Sequence, residues 1–309
     1  MVESIRLTFR LHRFELLILG GFTALVVVAA LVVAARLDEI GYGPCARPMD
    51  IYPPSCEALA RRFYDIDSSE ATPVLTLAGI LPYAFGLFLG APIVAREIER
   101  GTTRLAWSIA PSRLRWYILR TAPIIVVVVL LAFVAGVAAD RLFAARSPGV
   151  DIANAFDGYG YRGGLIAAQA LVITAGALGL GTVIGRLLPT IILALVIGVL
   201  GIVLVGKLHE QYTRREAIIV AGDGEIRGAR YIDQFFQLPD GRLVGWNELA
   251  EIDPAAMASE MGPQYPMVAL VVPGERYREV EAREAVVLTG IAAVMLIGAG
   301  VIVQRRRPG

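Results

Sequence analysis

The chain has 309 residues, a mean hydropathy of +0.62, and 56% hydrophobic against 18% charged residues. That balance excludes an ordinary soluble domain of this size and indicates an integral membrane protein. The formal charge of +1 hides an uneven distribution along the chain, and two cysteines and two histidines are too few for a four-ligand structural zinc site.

Residues 1–15 carry Arg6, Arg10 and Arg13, which a helix would align on one side. Two readings fit them: an interfacial helix whose arginines reach lipid phosphates, or a basic flank that only sets topology. Residues 16–35 are apolar and long enough to be the first span, and no small-residue cleavage site marks them as a removable signal. Residues 36–72 read as a polar loop. It holds Cys45 and Cys56 around Pro48, Pro53 and Pro54, and on an oxidising side of the membrane the two cysteines are expected to pair; two unpaired thiols are the alternative.

Residues 74–93 form the second predicted span, with Pro82 and Pro92 as kink points and Gly86 and Gly90 spaced for close helix contact. Then comes the segment that orients the rest, residues 94–120, with six arginines and two glutamates between apolar runs. On a helical extension of the span, Glu97 could pair with Arg100 and Arg96 with Glu99. Gly101 is expected to end that extension. Thr102 or Thr103 could cap a short helix up to Ile109, ended by Pro111, and Ser112 could cap the helix that enters the third span at 121–139.

Residues 140–162 read as a second polar loop. Residues 164–184 and 187–206 make the fourth and fifth spans, a hairpin turning at Gly185 and Arg186. Residues 207–284 contain alternating pieces, EAIIV, RYIDQFF and PMVALVV, with turn signals at Asp223-Gly224 and Asp240-Gly241 and a short helix expected over 254–262. They predict a small α+β lobe whose last part, ERYREVEARE, runs as helix into a sixth span at 285–303. The expected fold is therefore a mainly α, polytopic membrane protein: an interfacial helix at 1–15, five spans within 16–206, the lobe at 207–284, and a sixth span with a basic tail at 285–309.

Six spans put both termini on one side. That side then holds thirteen basic against four acidic residues, a charge of +9, and the other carries −8, which assigns the termini and residues 94–120 to the cytoplasm and the lobe to the outside. The span interiors contain no Asp, Glu, Lys, Arg or His. Thr23, Gln169, Thr174, Thr182 and Thr289 supply only weak polarity, which disfavours an ion-coupled carrier. There is no HExxH, no GxSxG and no Walker A loop, so hydrolysis and nucleotide use within this chain lack their residues. His12 and His209 read as incidental rather than as ligands.

The layout and the run AREIERGTTRLAWSIAPSRLRW resemble the permease subunit of type-2 ABC transporters, in an actinobacterial-like group with large extracytoplasmic loops. In that family an E-x-E-x-G-T segment followed by P-S-R forms the coupling region seated in a cleft of the ATP-binding subunit. The resemblance implies that role here for Glu97, Glu99, Gly101, Thr102, Pro111, Ser112 and Arg113, with Arg96, Arg100 and Arg104 beside them. GRLLP at 185–189 and RYREVEAREA before the last span are also family-like; the lobe stands where short-loop members have re-entrant helices. The implied protein is the non-catalytic membrane subunit of an exporter for apolar or amphipathic cargo, a homodimer in lipid with two copies of a separate ATPase. That ATPase would hold ATP and Mg²⁺; no cofactor is expected in this chain, and no nucleic acid as partner. A sensor or resistance component using the same ATPase is the first alternative, and an enzyme sited in the lobe the second.

Overall fold

In the computed structural model, residues 2–46, 53–103, 107–108, 112–221, 226–254 and 265–306 are described. The chain divides into two compact units, one of Met1–Gly149, Gly158–Gly201 and Val280–Gly309, the other of Val150–Asp157 and Ile202–Glu279.

In the first unit α1 (Val2–Leu11) is followed, after His12, by α2 (Arg13–Ile40). A nearly unbroken helix then runs through α3 (Pro54–Ile66), α4 (Thr72–Phe85) and α5 (Ala91–Glu99), with wider π turns between them at Asp67–Ala71 and Gly86–Gly90. Each π turn lies just before a proline, Pro73 or Pro92. A proline ring clashes with the carbonyl four residues earlier, and one extra residue in the turn relieves that clash without ending the helix. Next come α6 (Arg113–Arg146), α7 (Gly163–Ile184) and α8 (Leu187–Arg214), the last of which belongs to this unit only as far as Gly201. The last helix, α10, spans Tyr277–Arg305.

Among the described residues five helical stretches are long and apolar enough to cross a membrane: Arg13–Ile40, Pro54–Glu99, Arg113–Arg146, Gly163–Ile184 and Gly274–Arg305. Leu187–Gly201 is a shorter apolar helix. Their shared core joins Leu81, Phe85, Leu89 and Val94 to Ile124, Val128 and Leu178, all buried. Gly86 and Gly90 lie where α7 approaches closely: a Cβ on Gly90 would stand 2.7 Å from the Thr174 carbonyl oxygen, so only glycine permits this spacing.

The first expected polar loop is largely helical, which corrects the reading from polarity, whereas the second keeps irregular backbone over most of 147–162 and is helical only at its start. Residues 54–71 continue the second helix outward, and α6 runs on through Asp140 to Arg146. Polarity keeps a segment out of hydrocarbon but does not unwind it. Ion pairs between helices steady these extensions: Arg36 with Glu70, Arg141 with Asp38, Arg146 with Asp67. Arg162, buried, holds Asp140 at 2.6 Å. Cys45, in a short turn at Gly43–Ala46, lies beside Cys56 at the start of α3, with Cα atoms 5.4 Å apart.

The second unit carries an antiparallel sheet in the order β1-β4-β2-β3, from β1 (Ile218–Ala221), β2 (Arg230–Gln237), β3 (Leu243–Val244) and β4 (Met267–Val272), with α9 (Trp246–Ile252) after β3. The hairpin expected at Asp240-Gly241 joins β2 to β3, with Gly241 at φ +83°. The one expected at Asp223-Gly224 would make β1 and β2 neighbours. Instead β4 lies between them: Val268, Val271 and Val272 are buried, and the most apolar strand takes a central place. Residues 222–225 and most of the helix expected over 254–262 lie outside the described residues.

Candidate functional site

The helix ends around residues 94–120 form the candidate site. Two turns of α5 bury Ile93, Val94 and Ala95 and then turn polar, so the helix leaves the core carrying Arg96, Glu97 and Glu99. It ends as the glycine foretells. Gly101, at φ +70°, donates its N–H to the Ile98 carbonyl at 3.0 Å, and Thr102 N–H reaches Glu97 O at 3.1 Å. This is a Schellman ending, which needs a residue that tolerates left-handed backbone.

The expected local pairs, Glu97 with Arg100 and Arg96 with Glu99, give way to distant partners. Arg96 Nη1 donates to Glu15 Oε1 of α2 at 2.9 Å. Glu97 faces Arg120 of α6 at 3.1 Å, with both side chains less than a fifth exposed. Glu99 Oε2 accepts from the Leu187 N–H, the first residue of α8, at 2.9 Å. A carboxylate there satisfies a free N-terminal donor and complements the helix dipole. The reason is orientation. Near the helix end these side chains lean against neighbouring helices, and for Arg96 and Glu97 the partners there are more shielded than the neighbours one turn away.

Ser112 caps α6, its hydroxyl accepting from Arg115 N–H at 3.1 Å. Arg113 reaches across to the end of α10, donating to the carbonyls of Gln304 at 3.3 Å and Arg306 at 2.5 Å, while its guanidinium lies 4.8 Å from the Trp107 ring centre. Arg306 in turn donates to the Thr182 and Val183 carbonyls at the end of α7. Cations thus close the carboxyl ends of two helices. Trp107 stands edge-on to Trp116, ring centres 6.1 Å apart.

Of the expected coupling residues the structure brings Arg96, Glu97, Glu99, Gly101, Thr102, Ser112 and Arg113 into this one corner; Arg100 is exposed at the end of α5. Arg104 and Pro111 lie outside the described residues, as does most of the short helix between them. Sequence reasoning missed Glu15, Arg120 and Arg306. A usable signal existed, since each sits at the end of an apolar run beside the same predicted membrane face.

Several buried side-chain nitrogens here have no hydrogen-bond partner among the described residues: His12 Nδ1, Trp107 Nε1, Trp116 Nε1 and Arg120 Nη1. Burial lowers the pKa of His12, against the pull of Glu15 and with the help of Arg96 and Arg120. Among the described residues no group of three His, Cys, Asp or Glu side chains could hold a metal ion.

A polytopic bundle whose polar corner is tied by arginines defines a membrane protein with several spans. A family model described as ABC-2 membrane transporter related matches residues 16–210, and the chain belongs to that family. No curated protein and no solved structure matches it significantly. It is thus a multi-pass membrane component of the ABC-2 transporter kind, a class that works with an ABC ATP-binding partner.

Proposed function

We propose that this chain is the membrane subunit of an ATP-driven exporter, working as a homodimer with a separate ATPase that holds ATP and Mg²⁺ and moving apolar or amphipathic cargo. One observation carries the reading: the three charged residues that end α5 hold three different helices, α2, α6 and α8. A push on residues 100–112 would reach all three together. The exposed Arg100, Thr102 and Arg115 supply the docking surface, and Glu97, Glu99 and Arg96 transmit the motion inward. The buried unpaired nitrogens support this division, because groups that lack partners in one arrangement favour a second one that supplies them.

In this reading α8 is a sixth span completed by its later turns. The termini and the arginine corner face the cytoplasm, and the lobe lies outside with an oxidised Cys45–Cys56 crosslink. Reporter fusions after Arg306 and within Asp240-Gly241, with peptide mapping under non-reducing conditions, test that topology. The central experiment is purification of tagged full-length protein from native membranes. An ATP-hydrolysing subunit is expected to accompany it. Arg100→Glu with Arg115→Glu should lose that subunit while keeping its own unfolding midpoint, whereas Arg305→Ala should keep both. Absence of any ATPase, or equal recovery with all variants, overturns the reading.

A further inference from the structure

The lobe contains a groove that the transport reading leaves unassigned. Its walls come from residues 231–234 of β2 and 245–248 at the start of α9, and it is a shallow groove, open to solvent, of about 650 Å³. The register of the sheet explains its lining. Tyr231 lies opposite Val271 and Asp233 opposite Leu270, so Ile232 is an extra, bulged residue. Gln234 then faces Ala269 and Phe236 faces Met267. Partners directly across a pair share a face, so the bulge places Tyr231, Gln234 and Phe236 on one side of β2, where plain alternation would have split Tyr231 from the other two.

Trp246 completes this row. Its ring lies 5.5 Å from that of buried Phe236, which fixes the indole on the lobe core, yet the residue is 58% exposed. Tyr231 is also exposed, and its hydroxyl is held by the Ile226 N–H at 2.7 Å. Gln234 and Asn247 line the same groove as these two aromatic residues. Of the two carboxylates at the groove, Asp233 is engaged: it binds Arg214 at 2.5 Å and accepts the Gln234 N–H at 3.0 Å.

We propose that this groove binds a neutral saccharide, with a pyranose ring stacked on Trp246 and hydroxyls bonded to Gln234, Asn247 and Glu248. A flat indole matches the C–H face of a sugar, and amides match hydroxyls because both groups donate and accept. A cationic ligand fits less well, since Asp233 is already paired and a single carboxylate remains beside the ring.

The test uses the full-length protein in lipid nanodiscs, titrated calorimetrically with maltotriose and N-acetylchitotriose, and separately with spermidine and a tri-lysine peptide. At least one neutral sugar is expected to bind. Trp246→Ala should weaken it about tenfold, Trp246→Phe much less, and Gln234→Ala or Asn247→Ala roughly two- to tenfold, all with unchanged unfolding midpoints. A nanodisc carrying a neutral glycolipid, compared with free sugar, tells a membrane-borne ligand from a soluble one. No binding by either sugar, binding indifferent to Trp246→Ala, or preference for the polyamine or peptide overturns the proposal. No ATPase is present in the assay, so its outcome is separate from that of the transport reading.

Discussion

The arginine corner and the lobe hold their charges in opposite ways. In the corner, Arg96 reaches Glu15 across 81 positions and Glu99 reaches the start of α8 across 88, and the Glu97–Arg120 pair is largely shielded from solvent. In the lobe, Arg242 and Asp240 stand two residues apart with more than half of each side chain exposed, and Arg214–Asp233 is also well exposed. A shielded pair between helices fixes where those helices sit; an exposed local pair mostly exchanges one hydration for another. Charge in the first region therefore positions the bundle, and in the second it decorates a surface.

Breaking the shielded pair gives the largest expected effect. Glu97→Ala or Arg120→Ala leaves a half-buried charge without its partner and should each cost about 2–3 kcal/mol, read from denaturant unfolding in detergent micelles. The double substitution should cost less than the sum of the two by at least about 1 kcal/mol. Strict additivity would put this pair in the same class as those of the lobe.

Glycines sharpen the contrast at the next level. Gly41 and Gly185 both end helices with left-handed backbone, at φ +68° and +66°, so an alanine costs each about 1 kcal/mol. Gly41 has open space around it, but a Cβ on Gly185 would come within 2.7 Å of both Ile98 Cγ2 and Arg306 Nη2. Gly185→Ala should therefore lower the unfolding midpoint more than Gly41→Ala, and adding Arg306→Ala should recover part of the difference. Equal midpoints for the two glycine variants would show that the corner tolerates displacement of Arg306.

The third expectation is a pH dependence. His12 is buried and its folded pKa is held below the ordinary 6.5, first by burial and then by Arg96 and Arg120, with Glu15 opposing. The unfolded chain takes up the proton more readily, so the contribution to stability is whole above about pH 6.5 and is lost as pH falls below it. His12→Gln should flatten the unfolding midpoint between pH 7 and pH 5.5. An unchanged slope would assign the acid sensitivity to other groups.

Much of this was legible in the sequence. The apolar runs mark most of the bundle, EAIIV, RYIDQFF and PMVALVV are β1, β2 and β4, and Gly101 and Ser112 end and cap helices as their chemistry requires. What escaped was long in range or blind to polarity. Residues 54–71 are polar enough to read as a loop, yet Pro54 starts a helix and Glu57 supports Arg61 one turn on at 2.6 Å. Two prolines announced kinks, but not that the chain would absorb Pro92 by widening the turn before it. The partners of Arg96, Glu97 and Glu99 lie outside any local window. Nor does alternation reveal a bulged residue such as Ile232, which is why the groove at Trp246 has no signature in the sequence.

The smallest effect belongs to the lobe, and its smallness is the point. Arg242 and Asp240 bond at 2.7 Å, and Asp240 also accepts the Arg242 backbone N–H at 3.0 Å. These contacts lower the pKa of Asp240, the backbone bond first and the guanidinium second, yet both side chains are more exposed than buried. Water and salt screen such a pair, and the β2–β3 turn is already set by Gly241 and by Leu238 N–H bonding the Arg242 carbonyl at 2.9 Å. That backbone bond survives any side chain at position 242. Arg242→Ala should therefore leave the unfolding midpoint of the full-length protein unchanged in low and high salt alike, whereas Arg120→Ala lowers it in both. A loss of stability on Arg242→Ala that disappears in high salt would make the turn electrostatically held, and the contrast between the two regions would become one of degree.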